Sequence, residues 1–103
     1  MVAIEIDYVG MKDLTENEQD SVRKVIGEGA PKLERFVQNA AMTVHIKREQ
    51  KDLNRHAFSL HVRLRAPSHP LFESCHSHGY DLVAALHESI DDLEHQLAHR
   101  LRK

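Results

Sequence analysis

The chain opens on strict alternation. In Val2-Ala3-Ile4-Glu5-Ile6-Asp7-Tyr8 apolar residues take turns with small or acidic ones, the period of two that marks a strand with one face covered. Gly10 ends the run. Thr15-Glu16-Asn17-Glu18 has the form of a capping box, in which the Thr hydroxyl and the Glu carboxylate satisfy amides left without partners at a helix start. Val22, Val25, Ile26, Leu33, Phe36 and Val37 then recur at helical spacing, with Gly29 and Ala30 on the same stripe. Gly27, Gly29 and Pro31 weaken this pattern. Pro31 is expected to remove one intrahelical hydrogen bond and to kink or divide the helix.

Three further strands are predicted. Met42, Val44 and Ile46 face one way, and Thr43, His45 and Lys47 the other. Arg48 to Asn54 reads as a polar hairpin loop. Phe58, Leu60, Val62 and Leu64 then alternate with Ala57, Ser59, His61, Arg63 and Arg65. Pro67 and Pro70 bound a loop, and Leu71 to Ser77 suggests a weaker edge strand. After Gly79 a second helix is marked by Leu82, Leu86, Ile90, Leu93, Leu97 and Leu101, with Val83 and Ala85 on the same face and acids and histidines opposite. The order is βαβββα. An antiparallel four-stranded sheet with two helices packed on one face, an α+β two-layer sandwich, is the economical arrangement.

Composition fits one modest core. The chain has 103 residues, 41% hydrophobic and 29% charged, and a chain this size hides about two-thirds of its unfolded surface. Residues 1–103 read as a single domain, without repeats or low-complexity tracts. With no Trp, and Tyr8, Phe36, Phe58, Phe72 and Tyr80 as the aromatics, that core must be largely aliphatic. The longest apolar run, Leu82 to Leu86, is far short of the roughly 20 residues that span a bilayer. The alternating N-terminus lacks the basic segment of a signal peptide. A lone Cys75 cannot form an internal disulfide and makes a reducing, cytoplasmic setting the expectation.

Charge is distributed in blocks. The formal net charge is −2. Residues 1–30 carry −4, residues 31–65 carry +5, residues 66–99 carry −6 without a single Lys or Arg, and the last four residues return +3. Nine histidines make the balance sensitive to pH near 6.

No pattern of a nucleotide-binding loop, a serine nucleophile or a zinc protease occurs, so no enzyme is expected. Cys75 precedes His76, but neighbours in a strand point to opposite faces, which leaves an ordinary edge-strand thiol. Asp91, His95 and His99 share one helix face, and His76 and His78 one strand face; these are zinc half-sites by spacing. No further ligand is fixed by spacing, so solvated positions are the plainer reading and no metal is assigned. The basic residues are more suggestive. Lys47, Arg63 and Arg65 would project from the solvent side of the sheet, Lys32 and Arg35 lie late in the first helix, and Arg100, Arg102 and Lys103 end the second. No acid stands beside Arg63 and Arg65 on their own strand. Spread Lys and Arg charges of this kind bind phosphate backbones.

Several runs resemble the ribosome hibernation-promoting factors, also called protein Y or ribosome-associated translation inhibitors. They are Ile4-Glu5-Ile6 followed by Thr15, Lys32-Leu33-Glu34-Arg35-Phe36, and Asp81-Leu82-Val83-Ala84-Ala85-Leu86 followed by Ile90-Asp91, Leu93 and Gln96-Leu97. The resemblance is to a short, divergent form and covers essentially the whole chain. It implies a fold similar to double-stranded RNA-binding domains, no enzymatic activity and no cofactor. It further implies binding to ribosomal RNA of the small ribosomal subunit, in the channel used by messenger and transfer RNA, so that translation stops under stress. Some short members pair ribosomes into inactive dimers, and long members do so through an extra C-terminal domain.

The chain departs from the family pattern on its second helix. Asp92 stands where Lys is usual, His95 where Arg is usual, His99 at a further basic position and Val83 at the usual aromatic. The stretch from Thr15 to Phe36 is about three residues longer than usual. Carry-over by charge gives Lys32 and Arg35, with Arg100 and Arg102 as approximate matches, while Lys47, Arg63 and Arg65 rest on the strand pattern. Protonated His95 and His99 would restore positive charge as pH falls, making them pH-dependent RNA contacts. The alternative keeps the fold but not the RNA. There the domain is a protein-interaction module, its acidic second helix meeting a basic partner or its open sheet edge forming a homodimer.

Overall fold

The computed structural model describes residues 4–37, 39–50, 56–67, 69–79 and 81–101. Strand β1 runs over Ile4–Val9, a single 3-10 turn over Met11–Asp13 and helix α1 over Glu16–Glu34. Strands β2 at Ala40–Gln50, β3 at His56–Arg65 and β4 at Phe72–Gly79 follow, and helix α2 covers Leu82–Leu101. The sheet order is β1-β2-β3-β4, so the expected α+β architecture and element order hold.

The capping box forms as read. The Glu18 amide donates to Thr15 Oγ1 at 3.2 Å, and the Thr15 amide to Glu18 Oε1 at 2.9 Å. Pro31 neither divides α1 nor ends it, since the helix continues to Glu34. Pro31 lies in the last turn, and both it and Gly27 are exposed. The carbonyl that loses its partner therefore faces solvent, where water can satisfy it.

The sheet is mixed rather than antiparallel. β1 pairs with β2 in parallel, from Ile4 opposite Ala40 to Val9 opposite His45. A strand, a helical crossover and a returning strand run parallel when the two strands are neighbours, and α1 supplies that crossover. β2–β3 and β3–β4 are antiparallel. β2 also extends past the expected turn: Arg48, Glu49 and Gln50 pair with Phe58, Ala57 and His56. Their polarity ends the hydropathy signal, but the backbone ladder continues without it. Near the start of β3 the register slips between Phe58 and Leu60, placing one extra residue on β4, a β-bulge. β4 lies at the sheet edge, as its weak pattern suggested.

Both helices cover one face of the sheet. Val22, Val25, Ile26 and Leu33 of α1 and Leu86, Ile90, Leu93 and Leu97 of α2 join Met42, Val44, Ile46, Leu60, Val62 and Leu64 in one core. Val83 is not part of it. It lies 39% exposed, in line with His87 and Asp91 one and two turns on. Ala57 is covered as well, so burial alternates along β3 only from Phe58 onward. Gly29 marks a close approach of the helices, where an added Cβ would stand 2.9 Å from Ile90. Among the described residues, no helix is long and apolar enough to cross a membrane.

Candidate nucleic-acid interface

The strand phase that buries Met42, Val44 and Ile46 turns Thr43, His45 and Lys47 to the uncovered face. In β3 the same phase turns out Ser59, His61, Arg63 and Arg65. Pairing places Lys47 opposite Ser59, His45 opposite His61, Thr43 opposite Arg63 and Ala41 opposite Arg65. The expected grouping of Lys47, Arg63 and Arg65 on one solvent-facing surface is therefore present.

Their electrostatic setting differs from the expectation. Glu73 on β4 is in register with Arg63; its Oε1 lies 3.4 Å from Arg63 Nε and 2.8 Å from His61 Nε2. The opposing acid comes from the neighbouring strand, which residues on β3 alone could not reveal. Glu5 and Asp7 of β1 add two more carboxylates in register with Ala41 and Thr43. The fold thus flanks the two strands of the basic middle block with one strand from each acidic outer block. The blocks also meet elsewhere. Arg35 meets Glu94 at 3.2 Å, and Arg48, whose phase turns it toward the helices, meets Glu18 at 3.4 Å. Neither the Arg48 pair nor the Glu73 cluster was anticipated from the sequence.

Lys32 and Arg35 sit on the opposite layer. Lys32 is exposed in the last turn of α1. Arg35 follows the helix, its guanidinium 5.7 Å from the Phe36 ring centre. Arg100 is exposed in the last turn of α2, and Arg102 and Lys103 lie outside the described residues. The described candidate contacts therefore fall on two layers, the bare sheet and the helices, rather than on a single surface. His95 and His99 are exposed on α2, and His95 Nδ1 lies 2.9 Å from the Asp91 carbonyl oxygen. The side chains of His76 and His78 lie outside the described residues. Among those described, no three His, Cys, Asp or Glu side chains stand close enough to share a metal ion. Cys75 is an exposed free thiol. Its cross-strand neighbour is His61, a pairing that follows from aligning the buried phases of β3 and β4.

At the corner where β1 ends, a concavity of about 330 Å³ is lined by Gly10, Asp13, His45, Ile46, Lys47, Ser59 and His61. Gly10 has φ 92°, and any Cβ there would run into the Ile46 carbonyl, so only glycine fits the turn. On the covered side, burial pushes the Tyr8 phenol above its ordinary value, partly offset by the Arg23 guanidinium.

The chain is thus an α+β domain, a helix-backed mixed sheet with a bare polar face and scattered cations. Residues 4–103 match the family model described as sigma 54 modulation protein / S30EA ribosomal protein. The chain belongs to this ribosome-associated family. No curated protein matches it in sequence.

Proposed function

We propose that residues 1–103 act as one hibernation-factor domain that binds ribosomal RNA of the small subunit, occupies the messenger and transfer RNA channel, and represses translation under stress. The observation that carries this reading is the match to a ribosome-associated family over residues 4–103. Such a role belongs in the cytoplasm and requires neither a cofactor nor catalysis. Lys47, Arg63 and Arg65 on the sheet, Lys32, Arg35 and Arg100 on the helical side, and Arg102, which follows α2 in the sequence, are the proposed phosphate contacts. His95 and His99 would add to the helical patch as pH falls. Spread over both layers, these cations suit a partner that surrounds the domain, as the walls of a channel do.

The test is co-sedimentation of untagged protein with 30S and 70S ribosomes at low and high salt. Salt-sensitive pelleting with the small subunit, reduced by Arg63→Glu and Arg65→Glu, supports RNA contact through the sheet. Pelleting that ignores those changes moves the contact to the helices. Absence of pelleting at both pH 6 and pH 8 removes the RNA reading. It would favour a protein-interaction module, for which Glu88, Asp91 and Asp92, all exposed on α2, offer an acidic surface.

A further inference from the structure

The corner concavity holds groups that the family match does not assign. We propose that it is a binding pocket for a tetrahedral oxyanion, the phosphodiester of an RNA backbone, filled when His45 and His61 are protonated. The proposal rests on the ribosomal-RNA reading and extends it to one pocket.

His45 and His61 are directly opposite each other across the β2–β3 ladder, and Lys47 stands opposite Ser59 one step further along the same face. Two imidazoles, an ammonium and a hydroxyl thus line one side of a space of about 330 Å³, the hydroxyl of Ser59 donating to Glu49 Oε1 at 3.5 Å. Gly10 closes the corner without a side chain, so no protein group fills it. A cation would be repelled by Lys47, and no group of three ligating side chains is assembled among the described residues.

The charged groups around the two imidazoles come from every neighbouring element. The 3-10 turn contributes Asp13 at the rim, β1 contributes Asp7 and the uncharged Val9 opposite His45, β2 contributes Lys47 and Glu49, β3 contributes Arg63, and β4 contributes Glu73 and the Cys75 thiol. Glu73 already holds His61 and Arg63. With both imidazoles neutral, Lys47 and Asp13 cancel, and Glu49 beside Ser59 leaves one net negative charge. Protonating both adds two positive charges, and directly opposed like charges on a ladder repel. An anion seated between them relieves that repulsion, so protonation and anion binding strengthen each other. A polymer is favoured over a free ion because His61, Arg63 and Arg65 follow one another on the same face at steps of roughly 7 Å. A polyanion with one phosphate in the pocket then passes over both guanidinium groups.

Inorganic sulfate is the first probe, because its charge is constant between pH 5 and 8. Histidine proton titrations of the intact protein are followed by NMR with and without it. The expected result is that the titration midpoints of His45 and His61 each rise by about 0.5 in pH, equivalent to about tenfold tighter sulfate binding by the doubly protonated pocket. Absence of the rise at these two residues, or an equal rise at all histidines, overturns the pocket. The second probe is the 30S subunit, used in a His87→Gln/His95→Gln/His99→Gln background that removes the helical histidines. Pelleting should be tighter at pH 6 than at pH 8, and adding His45→Gln and His61→Gln should erase the difference. An unchanged difference overturns RNA as the source of the anion. Pelleting retained without the sulfate effect refutes the pocket but leaves the ribosomal reading. A sulfate effect without pelleting at either pH refutes the ribosomal reading and, with it, RNA as the ligand. Circular dichroism and the single variant His45→Gln, on an exposed site, separate these results from a loss of folding.

Discussion

Two glycines in α1 should respond to the same substitution with opposite signs. Replacing either by Ala gains about 1 kcal/mol of helix propensity. At Gly27 an added Cβ meets nothing within 4 Å, so Gly27→Ala should stabilise the protein by about 0.5–1 kcal/mol. At Gly29 the same atom would stand 2.9 Å from both Cγ1 and Cγ2 of Ile90 and 3.1 Å from its Cδ1. Those two Cγ atoms branch directly from Cβ, and a β-branched side chain in a helix has one strongly preferred χ1. Ile90 therefore cannot swing aside, and the helices must part. Overpacking of this kind costs about 1–3 kcal/mol, which leaves Gly29→Ala between neutral and about 2 kcal/mol destabilised. Urea titrations at 25 °C with unchanged slopes measure both. In heating scans each kcal/mol corresponds to about 4–8 °C. Ile90→Ala should create room for the new methyl, so the double variant should be less destabilised than the sum of the singles. Stabilisation of Gly29→Ala equal to that of Gly27→Ala would refute the close helix approach.

Further outcomes follow from burial. Leu93, fully covered at the centre of the α2 stripe, should cost about 2–5 kcal/mol when replaced by Ala; near-zero loss in the same urea assay would overturn the helix-face assignment. Ser89 is 0% exposed, and its hydroxyl lacks a hydrogen-bond partner among the described residues. Ser89→Ala should therefore be neutral or stabilising by up to about 1 kcal/mol, and a clear loss in Tm would reveal a hidden partner. Tyr8 has a phenol shifted upward by burial, so the folded protein holds that proton more tightly than the unfolded chain. Its contribution to stability is complete below pH 10 and lost as pH rises through the folded value; Tyr8→Phe should flatten the alkaline end of the stability profile, and an unchanged profile would count against the shift.

Much of the fold was legible because its signals are local. The capping box occupies four consecutive residues, and the alternation from Phe58 to Leu64 fixes which face of β3 is buried wherever its partners lie. The parallel pairing of β1 was not legible in the same way. It depends on where α1 delivers the chain, and period-two alternation does not encode direction. Arg48 to Gln50 stayed hidden for a related reason, since a ladder built from polar residues leaves no hydropathy trace. At the site, residue phase alone brought Lys47, Arg63 and Arg65 to one face. The reach of Glu73 to Arg63 and His61 needed the β3–β4 register, as did the neighbouring positions of His61 and Cys75. Charge blocks along a chain do not survive as charge patches when neighbouring strands come from different blocks.

The parallel placement of β1 also sets an order of assembly. β2 and β3 are joined by a short connection, whereas Ile4 and Ala40 are 36 positions apart in the chain, a span whose closure entropy must be overcome before any contact rewards it. The hairpin can zip early; β1 can dock only after α1 has brought its ends together. Until then the outer edge of β2 is an open template for another chain. Glu5 and Asp7, on the strand that finally closes that edge, place charge where intermolecular pairing would otherwise continue. Kinetic analysis of Ile6→Val should accordingly show the change mainly in unfolding rate, and an equivalent change in Val62 mainly in folding rate; the reverse pattern would put β1 in the nucleus.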